Sequence, residues 1–185
     1  MNCWELPVTV TVGGREVAIR SDFRAVLDAI SALNDASMSD AERAAAFLEI
    51  MFPNWRDIKQ ADMTEAYKAA MTFINCGEPV KENQPPKPKL VDWDRDVGLI
   101  APAVDVVLGY SCRRCEYLHW WEFIGAYSNV GRSLFAEVVN IRSKRQKGKK
   151  LEKYEQEFMR DNPDLISMAP QLTEEEEEFF KSLGV

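Results

Sequence analysis

The chain has 185 residues, 46% of them hydrophobic and 29% charged, with a formal net charge of −7. That balance belongs to a folded globular protein and excludes an intrinsically disordered one. Its acidic sign argues against non-specific nucleic-acid binding by the whole molecule. No apolar run approaches the ~18 residues of a bilayer span, and residues 1–7 carry no signal-peptide pattern, so an intracellular, water-soluble protein without a membrane partner is expected.

In residues 6–20, Val8, Val10 and Val12 alternate with threonines, Gly13-Gly14 supplies a tight turn, and Val17 and Ile19 alternate on the return. This predicts a β-hairpin, whose apolar face needs cover because a lone hairpin is marginal in water. Ser21 is placed to cap a helix from Asp22 to about Asn34, with Phe23, Val26, Leu27 and Ile30 at helical spacing. Ser39 and Glu42 form a capping-box pattern ahead of a helix carrying Ala45, Phe47, Leu48 and Met51, which Pro53 stops at Phe52. A third helix is predicted from about Met63 to Asn75, with Ala66, Tyr67, Ala70, Met71 and Ile74 inward and Gly77 and Pro79 at its end.

Residues 77–90 hold four prolines and little apolar mass, the composition of an extended linker. Beyond it, Val97, Ile100, Ala101, Val104, Val107 and Leu108 share a helical face, with Pro102 tolerable only in a first turn or at a kink. Helices are also predicted over 117–127, 131–142 and 149–161, the last with Leu151, Tyr154 and Phe158 on one stripe. The Thr173 capping pattern opens an acidic tail, Glu174–Glu178, that ends in Phe179, Phe180 and Leu183.

The fold class is therefore mainly α: a helical bundle with an N-terminal β-hairpin, a proline-rich linker and a second helical half. The expected divisions are 1–76 (hairpin and helices), 77–91 (linker), 92–162 (second helical half) and 163–185 (acidic tail helix).

Chemistry has few footholds. No phosphate-binding glycine loop, dinucleotide fingerprint or nucleophile elbow is present, so neither an enzyme nor a cofactor is expected. Cys112, Cys115 and His119 would share a face if their stretch were helical, which gives an alternative reading as a zinc-stabilised or redox module. That site lacks a second knuckle, and reduced, incidental thiols are the plainer expectation. His119-Trp120-Trp121-Glu122-Phe123 reads as a packing anchor, with His119 hydrogen-bonded rather than catalytic. Residues 142–150 hold six cations without an acid; they read as a solvated interhelical segment, and nucleic-acid binding there is the weaker alternative. The apolar end Phe179, Phe180 and Leu183 is a candidate partner contact.

Three phrases, taken together, carry a family likeness: Val17-Ala-Ile-Arg-Ser-Asp-Phe-Arg24 after the hairpin, Leu118-His-Trp-Trp-Glu-Phe123, and Phe135-Ala-Glu-Val-Val-Asn-Ile-Arg142. In this order and spacing the sequence resembles the bacteriophage gp-fifteen family of phage and prophage tail modules, over roughly residues 5–160. The resemblance implies a small helical protein encoded just ahead of the tape-measure protein. It implies a non-catalytic tail assembly chaperone, acting in the cytoplasm of the bacterial host, whose partners are the tape-measure chain and tail-tube or other chaperone subunits. Its motif positions here are Phe23, Arg24, Leu118, His119, Trp120, Trp121, Phe123 and Arg142. An oligomer is left open.

Overall fold

In the computed structural model, residues 4–79 and 89–168 are described. The fold is mainly α: among the described residues, eight α-helices accompany a single two-stranded antiparallel sheet. Strands β1 (Thr9–Val12) and β2 (Arg15–Ala18) pair with Val10 opposite Val17 and Val12 opposite Arg15. Gly13 and Gly14 turn the chain with φ of +57° and +71°, values that glycine adopts without strain. Val10, Val12 and Ile19 are buried, whereas Val8 runs past the core into solvent.

Helix α1 (Phe23–Asn34) is capped by Asp22, not Ser21: the Asp22 carboxylate accepts the Arg24 N–H at 2.9 Å. Ser21 instead bonds the Tyr117 hydroxyl at 2.8 Å. Phe23, Val26 and Ala29 form the buried face of α1. In α2 (Asp40–Met51) the predicted capping box is made, Ser39 accepting the Glu42 N–H while Glu42 accepts the Ser39 N–H. Phe47, Leu48 and Met51 are buried and Ala45 is exposed. The last carbonyls of α2 are taken by Arg20, through its guanidinium to Glu49 and Ile50 and its N–H to Met51. Two 3₁₀ turns, Trp55–Asp57 and Gln60–Asp62, lead to α3 (Met63–Ile74). Its buried residues are Ala66, Ala70 and Phe73; Tyr67, Met71 and Ile74 are half-buried at its flanks.

Helix α4 (Val97–Leu108) contains Pro102 in its interior, past the first turn, a position that the sequence pattern allowed only at a kink. Proline there leaves the Gly98 carbonyl without its helical donor, a cost of about 3 kcal/mol offset by burying Ile100, Ala101, Ala103 and Val104. Gly109, with φ of +77°, ends α4. Helix α5 (Trp120–Ser128) begins three residues later than predicted, because 112–117 is turn and loop. Helices α6 (Leu134–Gln146), α7 (Lys153–Asp161) and α8 (Pro163–Ile166) complete the described chain.

The described residues fall into two compact units: 4–79 with 93–135, and 89–92 with 136–168, the cut lying within α6. In the first, residues from both sides of the proline-rich stretch pack together; Phe23 and Phe123 stack with centroids 4.4 Å apart. In the second, Val138, Ile141 and Ile166 are the apolar core. Two charged side chains are buried with them. Arg142 donates to the Leu90 and Leu165 carbonyls at 3.0 and 2.6 Å. Glu155 accepts from Lys144 at 2.6 Å, Asn140 at 2.9 Å and the Glu152 N–H at 2.8 Å.

Those contacts correct two expectations. The basic run 142–150 is not a solvated interhelical segment throughout: it starts inside α6, where Arg142 and Lys144 are spent on the interior of the second unit. The stripe expected of α7 is also displaced. Tyr154 is exposed, Leu151 precedes the helix, and Glu155 is the residue that goes inward.

Candidate functional site

The first and second family phrases meet in space. A short antiparallel bridge joins Asp22 to His119: the Phe23 N–H donates to the Leu118 carbonyl at 3.0 Å and the Trp120 N–H to the Ser21 carbonyl at 2.7 Å. The Asp22 carboxylate, besides capping α1, accepts the Leu118 N–H at 3.2 Å and pairs with the Arg24 guanidinium at 3.0 Å. Arg24 in turn donates to the carbonyls of Cys112 and Cys115. One acid and one base thus fasten the start of α1 to the loop before α5.

His119 is completely buried and caps α5. Its Nδ1 accepts the Trp121 N–H at 3.0 Å, which makes Nε2 the protonated nitrogen that donates to the Pro7 carbonyl at 2.9 Å. The two tryptophans that follow divide as neighbours about 100° apart on a helix must. Trp120 is buried and donates its indole N–H to the Ile74 carbonyl at 2.8 Å; Trp121 is half-buried and donates to the Phe73 carbonyl, also at 2.8 Å. Both carbonyls belong to the last turn of α3, past the reach of its own i+4 donors; the Phe73 carbonyl also accepts the Cys76 N–H at 3.0 Å, and the indoles complete the cap of that helix. Trp93 closes the cluster against Trp120, Phe123 and Tyr127, 4.9 Å from the last.

This geometry removes the zinc and redox arrangement of Cys112, Cys115 and His119. The three do not share a helical face, since His119 is a cap and the cysteines lie in a turn. Both imidazole nitrogens are engaged, leaving no lone pair for a metal. Burial, then hydrogen bonding and charge from Asp105, push the Cys112 thiol up to about 12, the opposite of an activated thiolate. The Cys115 thiol donates to the Cys112 carbonyl at 3.1 Å. Among the described residues no group of three or more His, Cys, Asp or Glu is placed to hold a metal ion.

Phe23, Arg24, Leu118, His119, Trp120, Trp121 and Phe123 therefore form one cluster, whereas Arg142 belongs to the second unit. Sequence reasoning missed Asp22, Phe73 and Trp93. Asp22 had a signal, since aspartate just before a helix is as good a cap as serine. The partner-contact candidates Phe179, Phe180 and Leu183 lie outside the described residues.

Residues 4–98, about half of the chain, match the family model described as Bacteriophage Gp15 protein. The chain belongs to this family. No curated protein and no solved structure matches it. The Gp15 match takes in the hairpin, Asp22, Phe23 and Arg24, and ends inside α4. The Leu118–Phe123 phrase lies beyond the match, yet it supplies the other half of the cluster that the Gp15 residues build.

No described helix is long and apolar enough to cross a membrane. The exposed surface of the first unit does carry apolar side chains, among them Val106, Val107 and Tyr110 at the end of α4 and in the loop that follows.

Proposed function

We propose that this Gp15 family member is a non-catalytic tail assembly chaperone that binds the tape-measure protein in the host cytoplasm before the virion is complete. Family membership carries the reading, through the tail-gene setting that the resemblance implies. The cluster around His119 and Trp120 suits it: the His119 imidazole and the indole N–H groups of Trp120 and Trp121 are used to hold the fold, which makes it a scaffold for presenting surfaces elsewhere. Val106, Val107 and Tyr110 are exposed apolar groups of the size that reversible protein contacts use. Phe179, Phe180 and Leu183 remain the proposed client contact at the C-terminal end.

The test is co-expression of the full chain with the tape-measure protein of the same phage, followed by pull-down and size-exclusion chromatography. The expected result is a soluble tape-measure chain that co-elutes, with binding weakened when residues 172–185 are deleted. A tape-measure chain that stays insoluble, both alone with this protein and with the neighbouring chaperone component added, overturns the proposal.

A further inference from the structure

The outer edge of β2 is open. The Ile19 N–H donates to the Val8 carbonyl at 3.0 Å, so in the observed register Val10–Val17 and Val12–Arg15 are the hydrogen-bonded pairs of the hairpin. Glu16 and Ala18 alternate with them and turn their N–H and C=O groups away from β1. No described residue takes those groups up. Helix α3 packs against β1, and nothing comparable lies along β2.

Beside this edge runs a cleft of about 200 Å³ lined by β2 residues together with Asn54, Asp57 and Ile58. Val17, half-buried, and Ile58 give it an apolar floor. Arg15 and Asp57 are exposed charges of opposite sign on the same cleft, and neither forms an ion pair with a described residue.

We propose that β2 pairs antiparallel with β2 of a second copy of this chain, about a two-fold axis at Val17, joining two hairpins into one continuous sheet. In that register Glu16 lies opposite Ala18 of the other copy, and each such pair exchanges both main-chain bonds. The two Glu16 carboxylates are not set opposite each other. Val17 meets Val17 at the axis, each entering the cleft that Ile58 floors in the other copy. Arg15 shares a face with Val17, so each copy carries its Arg15 toward the cleft that holds the other's Asp57. The contact is isologous: the same surface serves both copies. With −7 on each copy and a short edge, association is weak and strengthens as salt screens the net repulsion.

Sedimentation velocity of the full chain, from about 1 µM to about 1 mM, tests this. The expected result is a monomer–dimer equilibrium favoured by about 0.3 M salt. Ala18→Pro removes an outward N–H and none of the hairpin's own bonds, and it is expected to leave a monomer with an unchanged circular dichroism spectrum. Arg15→Asp and Asp57→Arg are each expected to lower the association constant about tenfold or more, and the double reversal to restore it. The restoration decides the matter if Ala18→Pro does not fold. A chain monomeric throughout the range overturns the proposal, as does a dimer indifferent to Ala18→Pro or one that the double reversal fails to restore.

Discussion

Arg24 donates to the carbonyl of Cys115 at 2.7 Å across a separation of 91 residues. The same nitrogen reaches the Cys112 carbonyl at 3.0 Å, while Nη1 is held by Asp22. A planar guanidinium can serve the carboxylate and both carbonyls at once; a lysine ammonium on a flexible stem holds that geometry poorly. Arg24→Lys is expected to cost about 1–2 kcal/mol in urea unfolding and to make Cys115 react faster with a thiol reagent. Unchanged Cys115 reactivity would show that Arg24 does not hold the loop.

His119 offers a graded test of its two bonds. His119→Ala removes the α5 cap, the Pro7 contact and buried volume, an expected loss of about 2–4 kcal/mol. His119→Asn keeps an acceptor of the type preferred at that position and gives up the reach to Pro7, so about half the loss should return. If both variants unfold at the same urea concentration, the cap contributes nothing measurable.

The paired indoles should be unequal. Trp120→Phe leaves the Ile74 carbonyl buried without its donor and opens a cavity, for an expected loss of about 2–3 kcal/mol. Trp121 is only half-buried, so water can replace its bond to Phe73, and Trp121→Phe is expected to cost about 1 kcal/mol or less. Equal losses would mean that the capping bond the two indoles share, not burial, sets the cost.

Acid should loosen the second unit through Glu155. The bond from Lys144 holds this carboxyl below its ordinary range, reinforced by the Glu152 N–H and Asn140 against the burial that opposes it. A carboxylate depressed in the folded state stabilises above its unfolded value, near pH 4.3, and that stabilisation fades as the pH falls through the lower folded value. Melting curves from about pH 7 to about pH 3 should therefore show Glu155→Gln with a Tm lower by roughly 5 °C at neutral pH and a difference that shrinks in acid. A Tm difference independent of pH would remove Glu155 from the acid response.

The cysteines should be separable by reactivity. Cys112 is buried with its thiol pushed up, and Cys115 is partly accessible. In native protein at about pH 8 a thiol reagent is expected to label Cys115 while Cys112 stays silent until denaturant is added. Zinc analysis of the purified protein is expected to find well below one equivalent, and bound zinc lost on mutating Cys112 would contradict the geometry around His119.

Local signals in the sequence located the hairpin at Gly13-Gly14, the Ser39–Glu42 capping box and the span of α3, because each is encoded within a few residues. The misplacements share a physical origin. Ser21 and Asp22 are both good caps, and the choice was made by distant groups, Tyr117 drawing off the serine and Leu118 taking the aspartate. Helix α5 starts at Trp120 because His119 is held by Pro7, far away in the chain. Helical spacing marked Tyr154 as inward, yet Lys144 and Asn140 of the preceding helix draw in Glu155 instead. The anchor role of His119, Trp120 and Phe123 was legible as composition. Its partners, the carbonyls of Phe73 and Ile74, were not, since backbone acceptors leave no mark in a sequence.

The bridge between Asp22 and His119 also fixes when the first unit can form. During synthesis the hairpin, α1, α2 and α3 leave the ribosome early, and each can take up its local structure within microseconds. The ring of Phe23 and the Ile74 carbonyl at the end of α3 must nevertheless wait for the segment ending at Phe123. At about 5–20 residues per second, that wait lasts several seconds. Through that interval the residues of the Gp15 match are a set of helices with an unfinished core. A chain cut off where the match ends would stay in that state, exposed to aggregation and proteolysis.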